Sequence, residues 1–437
     1  MTPVEIGLLS VVGVLILVYA GVHIGVALGL LSFACIWAVR GDFTIAGKML
    51  SLAAAESLAQ YDFGVVPLFV MMGFLVSASD IGKDTYEVAN QLFRKVKGGL
   101  GTATVAANAV FAAVTGTSIA SASVFTKVAV PEMLRYKYNP RFAVGVVAGS
   151  SVLGMLIPPS LLFILFGILA ETSIGHLFIA GIIPGVTLAL AYCGLIWFMA
   201  TRYPRSVKLA DTDETTAAHL MGGREIAGKS TPIVLLIVLV IGGIYGGVFT
   251  ATEAGGAGAA GALILSLIKR RLSWRSMWQV LVETGHVTAA ICFLLISAHL
   301  YSRMISVTGI PNAMEHAAAT MGLGLYGVLA IYLVIIILLG TILDAGSIML
   351  ITVPLIVPLV APFGVSLIWL GVITVLAVEV GLLTPPFGLA VFVVHSTLRN
   401  PDISVHDIFM GALPFAAVMC IVLALVVAIP QLALILL

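Results

Sequence analysis

A pattern of glycine, serine and proline residues occurs twice in this chain. A glycine and a serine recur after 224 positions, and a second glycine and a Pro-Pro pair recur after 227 positions. The first copy holds Gly116, Ser123, Gly154 and Pro158-Pro159, and the second holds Gly340, Ser347, Gly381 and Pro385-Pro386. Paired helix interruptions at matching places in two apolar halves are typical of the binding site of a membrane transporter. The pattern therefore indicates a duplicated fold that moves a solute.

Long apolar stretches set the class of the protein. Hydrophobic residues make up 61% of the 437 residues and charged residues only 9%, whereas a soluble domain carries about 25% charged residues. Apolar runs of about 20 residues, which suffice to cross the hydrocarbon core, recur from Val4 to Leu437. They do not alternate as β-barrel strands do. The sequence predicts an all-α polytopic membrane protein, and its net charge of +1 gives no indication of a nucleic-acid partner.

One polar segment divides the chain. Nine charged residues fall within 202–229, which predicts an aqueous linker between a first membrane half, 1–201, and a second, 230–437. The linker contains the sequence GREIAGKS at 223–230, which matches the formal pattern of a phosphate-binding P-loop. That loop requires a preceding strand and a following helix packed on a soluble sheet. Here polar linker precedes it and an apolar run follows, so we exclude a nucleotide site and ATP-driven transport.

Basic residues predict that the first motif lies on a re-entrant hairpin. Lys and Arg near membrane ends prefer the cytoplasm, and here they flank the motif on both sides. They are Arg94, Lys95 and Lys97 before it, and Arg135, Lys137 and Arg141 after it. The chain from about 98 to 134 then enters and leaves on the cytoplasmic side, with Gly116 at its tip inside the membrane. Irregular backbone at that depth is tolerated only against protein or a wet cavity.

The second motif has the opposite surroundings. Neither Lys nor Arg occurs between Arg303 and Arg399, so the hairpin at about 323–362 is expected to open to the outside. A helix broken by Gly and Pro-Pro follows each hairpin. The sequence therefore predicts inverted repeats, each with a re-entrant helical hairpin and a broken transmembrane helix.

The hairpin tips present peptide dipoles and hydroxyl groups. The incoming arm ends in carbonyl oxygens and the outgoing arm begins with free N–H groups, each end equivalent to about half an elementary charge. The oxygens suit a dehydrated Na⁺, and the N–H groups suit a substrate carboxylate. Candidate sodium-binding residues are Ser118, Ser121, Ser123, Ser150, Ser151, Gly154, Gly340, Thr341, Asp344, Ser347, Gly381 and Thr384. Candidate substrate-binding residues are Thr117, Ser118, Ile119, Pro158, Pro159, Ala345 and Gly346.

Several polar residues have structural alternatives. Small residues also allow membrane helices to pack closely, although matched hydroxyls and matched Pro-Pro breaks favour a site. Asp344 either caps the outgoing arm or binds an ion. Glu379 either lines a cavity or pairs with a neighbouring side chain, and His299 and Arg303 either line a pathway or belong to a helix end. Lys127 is expected to extend to water rather than to bind a ligand.

Six segments resemble the large membrane subunit of tripartite ATP-independent periplasmic (TRAP) transporters. They are 116–133 (GTSIASASVFTKVAVPEM), 154–160 (GMLIPPS), 170–185 (AETSIGHLFIAGIIPG), 244–254 (IYGGVFTATEA), 343–358 (LDAGSIMLITVPLIVP) and 379–387 (EVGLLTPPF). The resemblance extends over essentially the whole chain.

The resemblance implies the elevator fold of the ion-transporter superfamily, in which the hairpins and broken helices form a mobile domain. It implies Na⁺ as the coupling ion, held near both tips by the residues named above together with Pro385, and no other metal or cofactor. It further implies a small membrane subunit as a separate chain, a periplasmic binding protein that delivers the substrate, and a multi-pass location in the bacterial inner membrane. Substrates in this family are organic acids such as C4-dicarboxylates or sialic acids.

Together these features predict secondary active, Na⁺-coupled import of an organic acid. The alternative is a stand-alone cation-coupled symporter or antiporter of organic anions without a binding protein, since an inverted repeat serves both. An intramembrane enzyme is not expected, because neither a His-Glu-x-x-His nor a Gly-x-Ser-x-Gly motif occurs.

Overall fold

The computed structural model describes residues 1–209 and 221–437, and these ranges are almost entirely helical. Their single β-bridge joins Tyr138 and Lys208. The main helices are α1 (Pro3–Tyr19), α2 (Ile24–Arg40), α3 (Phe43–Ala59), α4 (Val65–Ala78), α5 (Ile81–Phe93), α6 (Gly99–Thr115), α7 (Ser118–Arg135), α8 (Pro140–Ser151), α9 (Leu161–Leu169), α10 (Ile174–Arg202), α11 (Gly223–Ile237), α12 (Ala251–Ile268), α13 (Trp274–Thr308), α14 (Ile310–Thr320), α15 (Leu325–Gly340), α16 (Ala345–Val360), α17 (Leu367–Leu383), α18 (Leu389–Leu398) and α19 (Val405–Ala428).

Seven helices of the described ranges are long and apolar enough to cross a bilayer, or eight if the bent pair Pro140–Leu156 and Leu161–Leu169 forms one span. Large apolar side chains such as Leu190, Trp197 and Ile264 are more than half exposed. Lipid is the environment in which such a surface is stable, because contact of apolar side chains with water is unfavourable. The prediction of an all-α polytopic membrane protein is confirmed.

Most of the helices form two groups that contact each other. The hairpin bundle consists of α6–α9 and α15–α19, in which α7 and α19 both pack on α8, α15 packs on α17 and α9 packs on α16. The scaffold bundle consists of α1–α4, α12 and α13, in which the long α13 packs on α2, α3 and α4. The bundles touch where α4 meets α6 and where α13 meets α16.

Small residues allow the bundles to approach each other. A Cβ added to Gly73 of α4 would lie 2.9 Å from the carbonyl oxygen of Thr115, at the end of α6. Within the scaffold, a Cβ on Gly258 of α12 would lie 2.5 Å from the sulfur of Met72. Close backbone contact through small residues is the usual way in which membrane helices associate.

The helix α11 begins inside the predicted linker. Its first residue is Gly223, whereas the sequence placed the linker at 202–229; positions 210–220 of that linker lie outside the described residues. Lys229 stabilises this start through ion pairs with Glu225 at 2.9 Å and Glu87 at 2.8 Å. The P-loop-like stretch 223–230 therefore lies within a helix and offers no phosphate-binding loop, in agreement with its exclusion.

Ion pairs join α5 to the scaffold at one face of the protein. Lys269 pairs with Asp84, and Arg271 pairs with Asp80 at 2.8 Å. These basic residues lie in the turn between α12 and α13. The amphipathic α5, which also packs on α6 and α7, therefore connects the scaffold to the base of the first hairpin.

Candidate functional site at the hairpin tips

The first hairpin turns at Gly116, between α6 and α7. Gly116 has a φ of +65°, a left-handed conformation that glycine adopts without steric cost. Thr117 then caps α7, its hydroxyl accepting a hydrogen bond from the amide of Ala120 at 3.4 Å. The Gly116 carbonyl accepts a hydrogen bond from the amide of Leu161 at 3.1 Å. The tip is thus docked onto the start of α9, next to the Pro158-Pro159 break.

The second hairpin is docked in the same way. Its incoming arm α15 ends at Gly340, and the carbonyl of Thr341 accepts a hydrogen bond from the amide of Phe387 at 3.1 Å. Phe387 directly follows the Pro385-Pro386 break. Both copies therefore use a carbonyl at the hairpin tip and an amide released by the Pro-Pro interruption, which explains why the motif pairs these features.

Glycines let each tip approach its broken helix. A Cβ added to Gly154 would lie 2.6 Å from the carbonyl oxygen of Thr117, and one added to Gly381 would lie 2.7 Å from the Cα of Gly340. The neighbouring atoms belong to the backbone and cannot rotate away. The spacing of these glycines is therefore required by the contact between tip and break.

Asp344 caps the outgoing arm of the second hairpin. Its carboxylate accepts hydrogen bonds from the amide of Ser347 at 3.1 Å and from the Ser347 hydroxyl. An N-cap side chain satisfies amides that the helix itself leaves without partners. The capping alternative is confirmed, and a role of Asp344 as an ion ligand stays a prediction.

Glu379 of the second copy reaches the tip of the first. The hydroxyl of Ser118 donates a hydrogen bond to Oε1 of Glu379 at 2.9 Å. The two side chains are 2% and 1% exposed, so this bond lies well away from water. Of the two alternatives from the sequence, pairing with a neighbour is confirmed, and the neighbour is a candidate sodium-binding residue.

Three buried oxygens of the hairpin bundle lack a hydrogen-bond partner among the described residues. They are Oε2 of Glu379, the hydroxyl of Ser121 and Oδ1 of Asn108. The amide group of Asn108 donates to the Ser150 hydroxyl at 2.7 Å. Buried polar atoms are nearly always satisfied, and an exception requires a specific explanation such as a bound ion or water. Unpaired oxygens are the ligands that hard cations prefer.

A cavity of about 680 Å³ borders the first tip. Its lining includes Thr117, Ile119 and Ser123 of the hairpin. From the scaffold it includes Phe74 of α4 and Val287 of α13. Its volume lies within the range of small-molecule sites, about 300–1,000 Å³. The cavity therefore lies between the two bundles and reaches the predicted substrate-binding residues of the first copy.

The structure separates the candidate residues of the first copy by helix face. Ser118 and Ser121 are three positions apart and point together into the hairpin bundle. Ser123 instead lines the cavity, because two residues along an α-helix turn the side chain by about 200°. Ser151 is buried and donates to the carbonyl of Ala148 at 2.8 Å.

The second copy contributes no residue to the lining of this cavity. Ala345 and Ser347 are buried in the hairpin bundle, Gly346 is partly exposed, and the Thr384 hydroxyl donates to the Val380 carbonyl at 2.7 Å. Pro158 and Pro159 line a small gap that faces α10 and the helical segment 238–245 after α11, rather than the cavity. The predicted substrate-binding residues are thus only partly brought together.

His299 and Arg303 lie in the scaffold, away from both tips. Nδ1 of His299 is 2.6 Å from the Ser57 hydroxyl, and Arg303 pairs with Glu56 at 2.5 Å. Both residues therefore join α13 to α3. The helix continues to Thr308, so contacts between helices, and not a helix-end position, explain these two residues.

Asn108 was not among the predicted site residues. It is the single amide side chain within α6 and is fully buried. A polar residue in an apolar membrane segment is costly and requires a partner. The presence of Asn108 in the incoming arm is therefore the feature of the sequence that could have identified it as a site residue.

Two substitutions of Asp344 separate its role as a helix N-cap from the role of its negative charge. Asp344→Asn is expected to keep the free energy of unfolding within about 0.5 kcal/mol, since Asn and Asp are equivalent N-caps, whereas Asp344→Ala should cost about 1 kcal/mol. Thermal unfolding of the purified protein in detergent measures both. Asp42→Asn, at the cap of α3, is the matched control. Equal destabilisation by Asn and Ala at position 344 would mean that charge, not capping, stabilises this turn.

Several curated proteins with similar sequences are named as transporter permeases. The chain is 30% identical over 388 residues to the C4-dicarboxylate TRAP transporter large permease protein DctM of Pseudomonas aeruginosa, covering 89% of this chain and 88% of that protein. It is 28% identical to the sialic acid TRAP transporter large permease protein SiaM of Vibrio cholerae, covering 98% and 97%. It is 29% identical to the 2,3-diketo-L-gulonate TRAP transporter large permease protein YiaN of Escherichia coli, covering 84% of each. The prediction that this protein is a transporter rather than an enzyme is confirmed.

Two solved transporters share the fold. The YdaH transporter of Alcanivorax borkumensis matches with a TM-score of 0.59 over 85% of this chain and 88% of that one, at 13% identity. MtrF of Neisseria gonorrhoeae matches with a TM-score of 0.60 over 88% and 83%, also at 13% identity. At this identity the likeness concerns the fold alone.

The family comparison extends over nearly the entire sequence. Residues 11–432 match the model described as "Tripartite ATP-independent periplasmic transporter, DctM component", which confirms the resemblance found in the sequence. The chain therefore belongs to the DctM family of tripartite ATP-independent periplasmic transporters, as a multi-pass protein of the bacterial inner membrane.

Proposed function

We propose that this chain imports a small organic acid, driven by Na⁺, by movement of the hairpin bundle past the scaffold bundle. The observation that carries the proposal is the first hairpin tip, where the hydroxyls of Ser118 and Ser121 lie on the buried side of α7 and other residues of the tip line a cavity between the bundles. The tip supplies oxygen ligands on its buried side and the N-terminus of α7 on its cavity side. Na⁺ requires oxygen ligands, and a carboxylate requires N–H donors.

The substrate class is inferred from relatives together with the tip. C4-dicarboxylate, sialic acid and 2,3-diketo-L-gulonate are the substrates named for three similar permeases, and each carries a carboxylate. A carboxylate is stabilised at a helix N-terminus, where amides and the helix dipole act together. The substrate-binding residues in this proposal are Thr117, Ser118 and Ile119, with Ala345 and Gly346 from the second copy.

The proposed dependence of transport on Na⁺ is supported by the buried oxygens of the hairpin bundle. Oxygen atoms of Ser121, Asn108 and Glu379 are buried without a hydrogen-bond partner among the described residues, and a coordinating cation or water would remove the cost of that arrangement. An ion that orders the tip would raise the fraction of protein competent to bind the substrate. The remaining proposed ligands are those named from the sequence, including Pro385 at the second break. Na⁺ is the single metal in this proposal, and no cofactor is required.

Movement as an elevator is supported by where the tips are attached. Each tip is hydrogen-bonded to the broken helix of its own repeat, and the Ser118–Glu379 bond joins the two repeats. The hairpin bundle is therefore held together internally, while the cavity lies along part of its boundary with α4 and α13. Two further subunits, a small membrane protein and a periplasmic substrate-binding protein, fit the family's description as a tripartite periplasmic transporter.

Replacement of Na⁺ by choline tests the coupling. Uptake of succinate or sialic acid by proteoliposomes containing this chain and its two partner proteins is expected to fall at least tenfold when choline replaces external Na⁺, because the tip would lack its ordering cation. A proton gradient imposed in choline is the control. Undiminished uptake driven by that gradient would remove the Na⁺ assignment, and uptake without the binding protein would favour a stand-alone symporter.

A further inference from the structure

We propose that Lys127 and Arg399 form a cationic exit route for the transported anion, at the end of the cavity remote from the hairpin tip. This inference rests on the proposed function in one respect, namely that the cargo is an organic anion. The four residues Lys127, Ser396, Thr397 and Arg399 line a second cavity of about 450 Å³, which we call the basic vestibule.

One face of α7 leads from the tip to the vestibule. Thr117, Ala120, Ser123 and Lys127 all line the main cavity, and their spacing of three to four residues places them on one side of the helix. At a rise of 1.5 Å per residue, the path from the tip to Lys127 is about 14 Å long. The main cavity therefore continues along α7 rather than ending at the tip.

Lys127 borders both cavities. It lines the main cavity with Val124 and Val128, and it lines the basic vestibule with residues at the end of α18. The helix α18 packs directly on α7, so the two walls belong to the same bundle. An anion that leaves the tip along this face of α7 would pass this ammonium group.

The vestibule has the donor groups that a carboxylate needs. Lys127 offers an ammonium group, Arg399 a guanidinium group, and Ser396 and Thr397 offer hydroxyls. Arginine and lysine donate charge-assisted hydrogen bonds to carboxylates, and hydroxyls add neutral ones. These groups lie at one position of α7 and on one short stretch at the end of α18, where Arg399 is the C-cap residue.

The positive charge of the vestibule is not neutralised by the protein. Across residues 1–209 and 221–437, neither Lys127 nor Arg399 takes part in an ion pair. The acid that lines the main cavity, Asp80, is paired with Arg271 at 2.8 Å. Lys83 at the cavity wall lies 4.0 Å from Glu87. The excess charge along the route is therefore positive and attracts anions.

The position of the route suits release rather than capture. Lys127 lies on the arm whose base carries Arg135, Lys137 and Arg141, the flank that the positive-inside rule assigns to the cytoplasm. Exposed basic groups bind a carboxylate weakly, so an anion would be drawn off the tip and still dissociate. The sequence predicts only that the Lys127 side chain extends to water. It does not reveal the two cavities that this side chain borders.

Charged thiol reagents test the route without knowledge of the substrate. The four native cysteines are replaced by alanine, and Val124→Cys is introduced one turn from Lys127 on the cavity wall. The rate of modification by an anionic methanethiosulfonate (sulfonatoethyl) is divided by the rate for a cationic one (trimethylammonioethyl). Residues three apart in a helix lie about 5–6 Å from each other, within the screening length of about 10 Å at 0.1 M salt.

Lys127→Gln is expected to lower this ratio about fivefold, and Lys127→Gln with Arg399→Gln about tenfold, because the potential favours one reagent and opposes the other. Lys127→Arg should keep the parent ratio. Lys95→Gln, an exposed lysine on the same flank that lines neither cavity, should leave it unchanged. Effects on thiol reactivity act on both rates and cancel in the ratio.

The parent protein supplies a test that needs no lysine variant. Raising the salt concentration from 0.02 to about 1 M shortens the screening length to about 3 Å and should bring the ratio close to that of a free thiol. An unchanged ratio in both Lys127→Gln and high salt would overturn the proposal. A changed ratio together with failed organic-acid uptake would instead reject the proposed function and keep the vestibule.

Discussion

Gly381→Val is expected to reduce transport at least a hundredfold. A Cβ at Gly381 would lie 2.7 Å from the Cα of Gly340 and 2.9 Å from the carbonyl oxygen of Ile337. Both neighbours are backbone atoms, so the second hairpin must move away from its broken helix to admit the side chain. Overpacking of this kind costs about 1–3 kcal/mol, and the displaced tip would lose the Thr341–Phe387 hydrogen bond that fixes it.

The matched control is Gly194→Val. Gly194 lies on the exposed side of α10, and a Cβ there would have no atom within 4 Å. Uptake in proteoliposomes and thermal unfolding in detergent measure both variants, with Gly194→Val expected to stay within about 0.5 kcal/mol of the parent. Gly154→Val should behave like Gly381→Val, since its Cβ would lie 2.6 Å from the Thr117 carbonyl oxygen. Wild-type uptake by either site variant would show that close docking of tip and break is not required.

Glu379→Ala is the second change with a large expected effect, whereas Glu379→Gln should keep the free energy of unfolding close to that of the parent. Alanine removes the acceptor of the Ser118 hydroxyl and leaves a cavity at a position that is 1% exposed. The combined loss should destabilise the protein by about 2–4 kcal/mol and reduce transport at least a hundredfold, because the bond joins the two repeats. The amide oxygen of glutamine can accept the same hydrogen bond, so stability should stay close to that of the parent.

A double-mutant cycle with Ser118→Ala isolates the bond. Single and double variants of Ser118→Ala and Glu379→Ala should show a coupling energy of about 0.5–3 kcal/mol in thermal or denaturant unfolding. Glu315→Ala, an exposed acid on α14, is the control for removal of a carboxylate. Additive effects at positions 118 and 379 would contradict a direct link. Glutamine as damaging as alanine would show that the charge of Glu379, rather than its acceptor oxygen, is what the tip uses.

The fold class and the hairpins could be predicted because their causes are local. Gly116 permits a left-handed turn, Thr117 and Asp344 cap the helices that follow, and Pro158 and Pro385 remove backbone donors within apolar runs. Such signals act within a few residues and do not depend on the tertiary structure. The helices α6, α7, α15 and α16 accordingly lie where the sequence placed the two hairpins.

The arrangement of the candidate site could not be predicted in this way. The sequence treated Ser118, Ser121 and Ser123 as one group, but the turn of α7 directs Ser123 to the cavity and the other two into the bundle. It also grouped the residues of both tips as substrate ligands, whereas the cavity reaches the first tip alone among the described residues. The start of α11 at Gly223 was missed because the ion pairs of Lys229 include Glu87, which is 142 positions away.

By itself, the sequence determined that this chain spans a membrane as helices, that it is duplicated, and where each repeat must break. Hydrophobic length, glycine conformation and the missing amide of proline are properties of the residues themselves. Only the tertiary structure decided that Glu379 of one repeat bonds Ser118 of the other, 261 positions away, and that Lys127 borders two cavities. Those contacts depend on how two bundles pack, and packing is fixed by the combined shape of many side chains rather than by any local pattern.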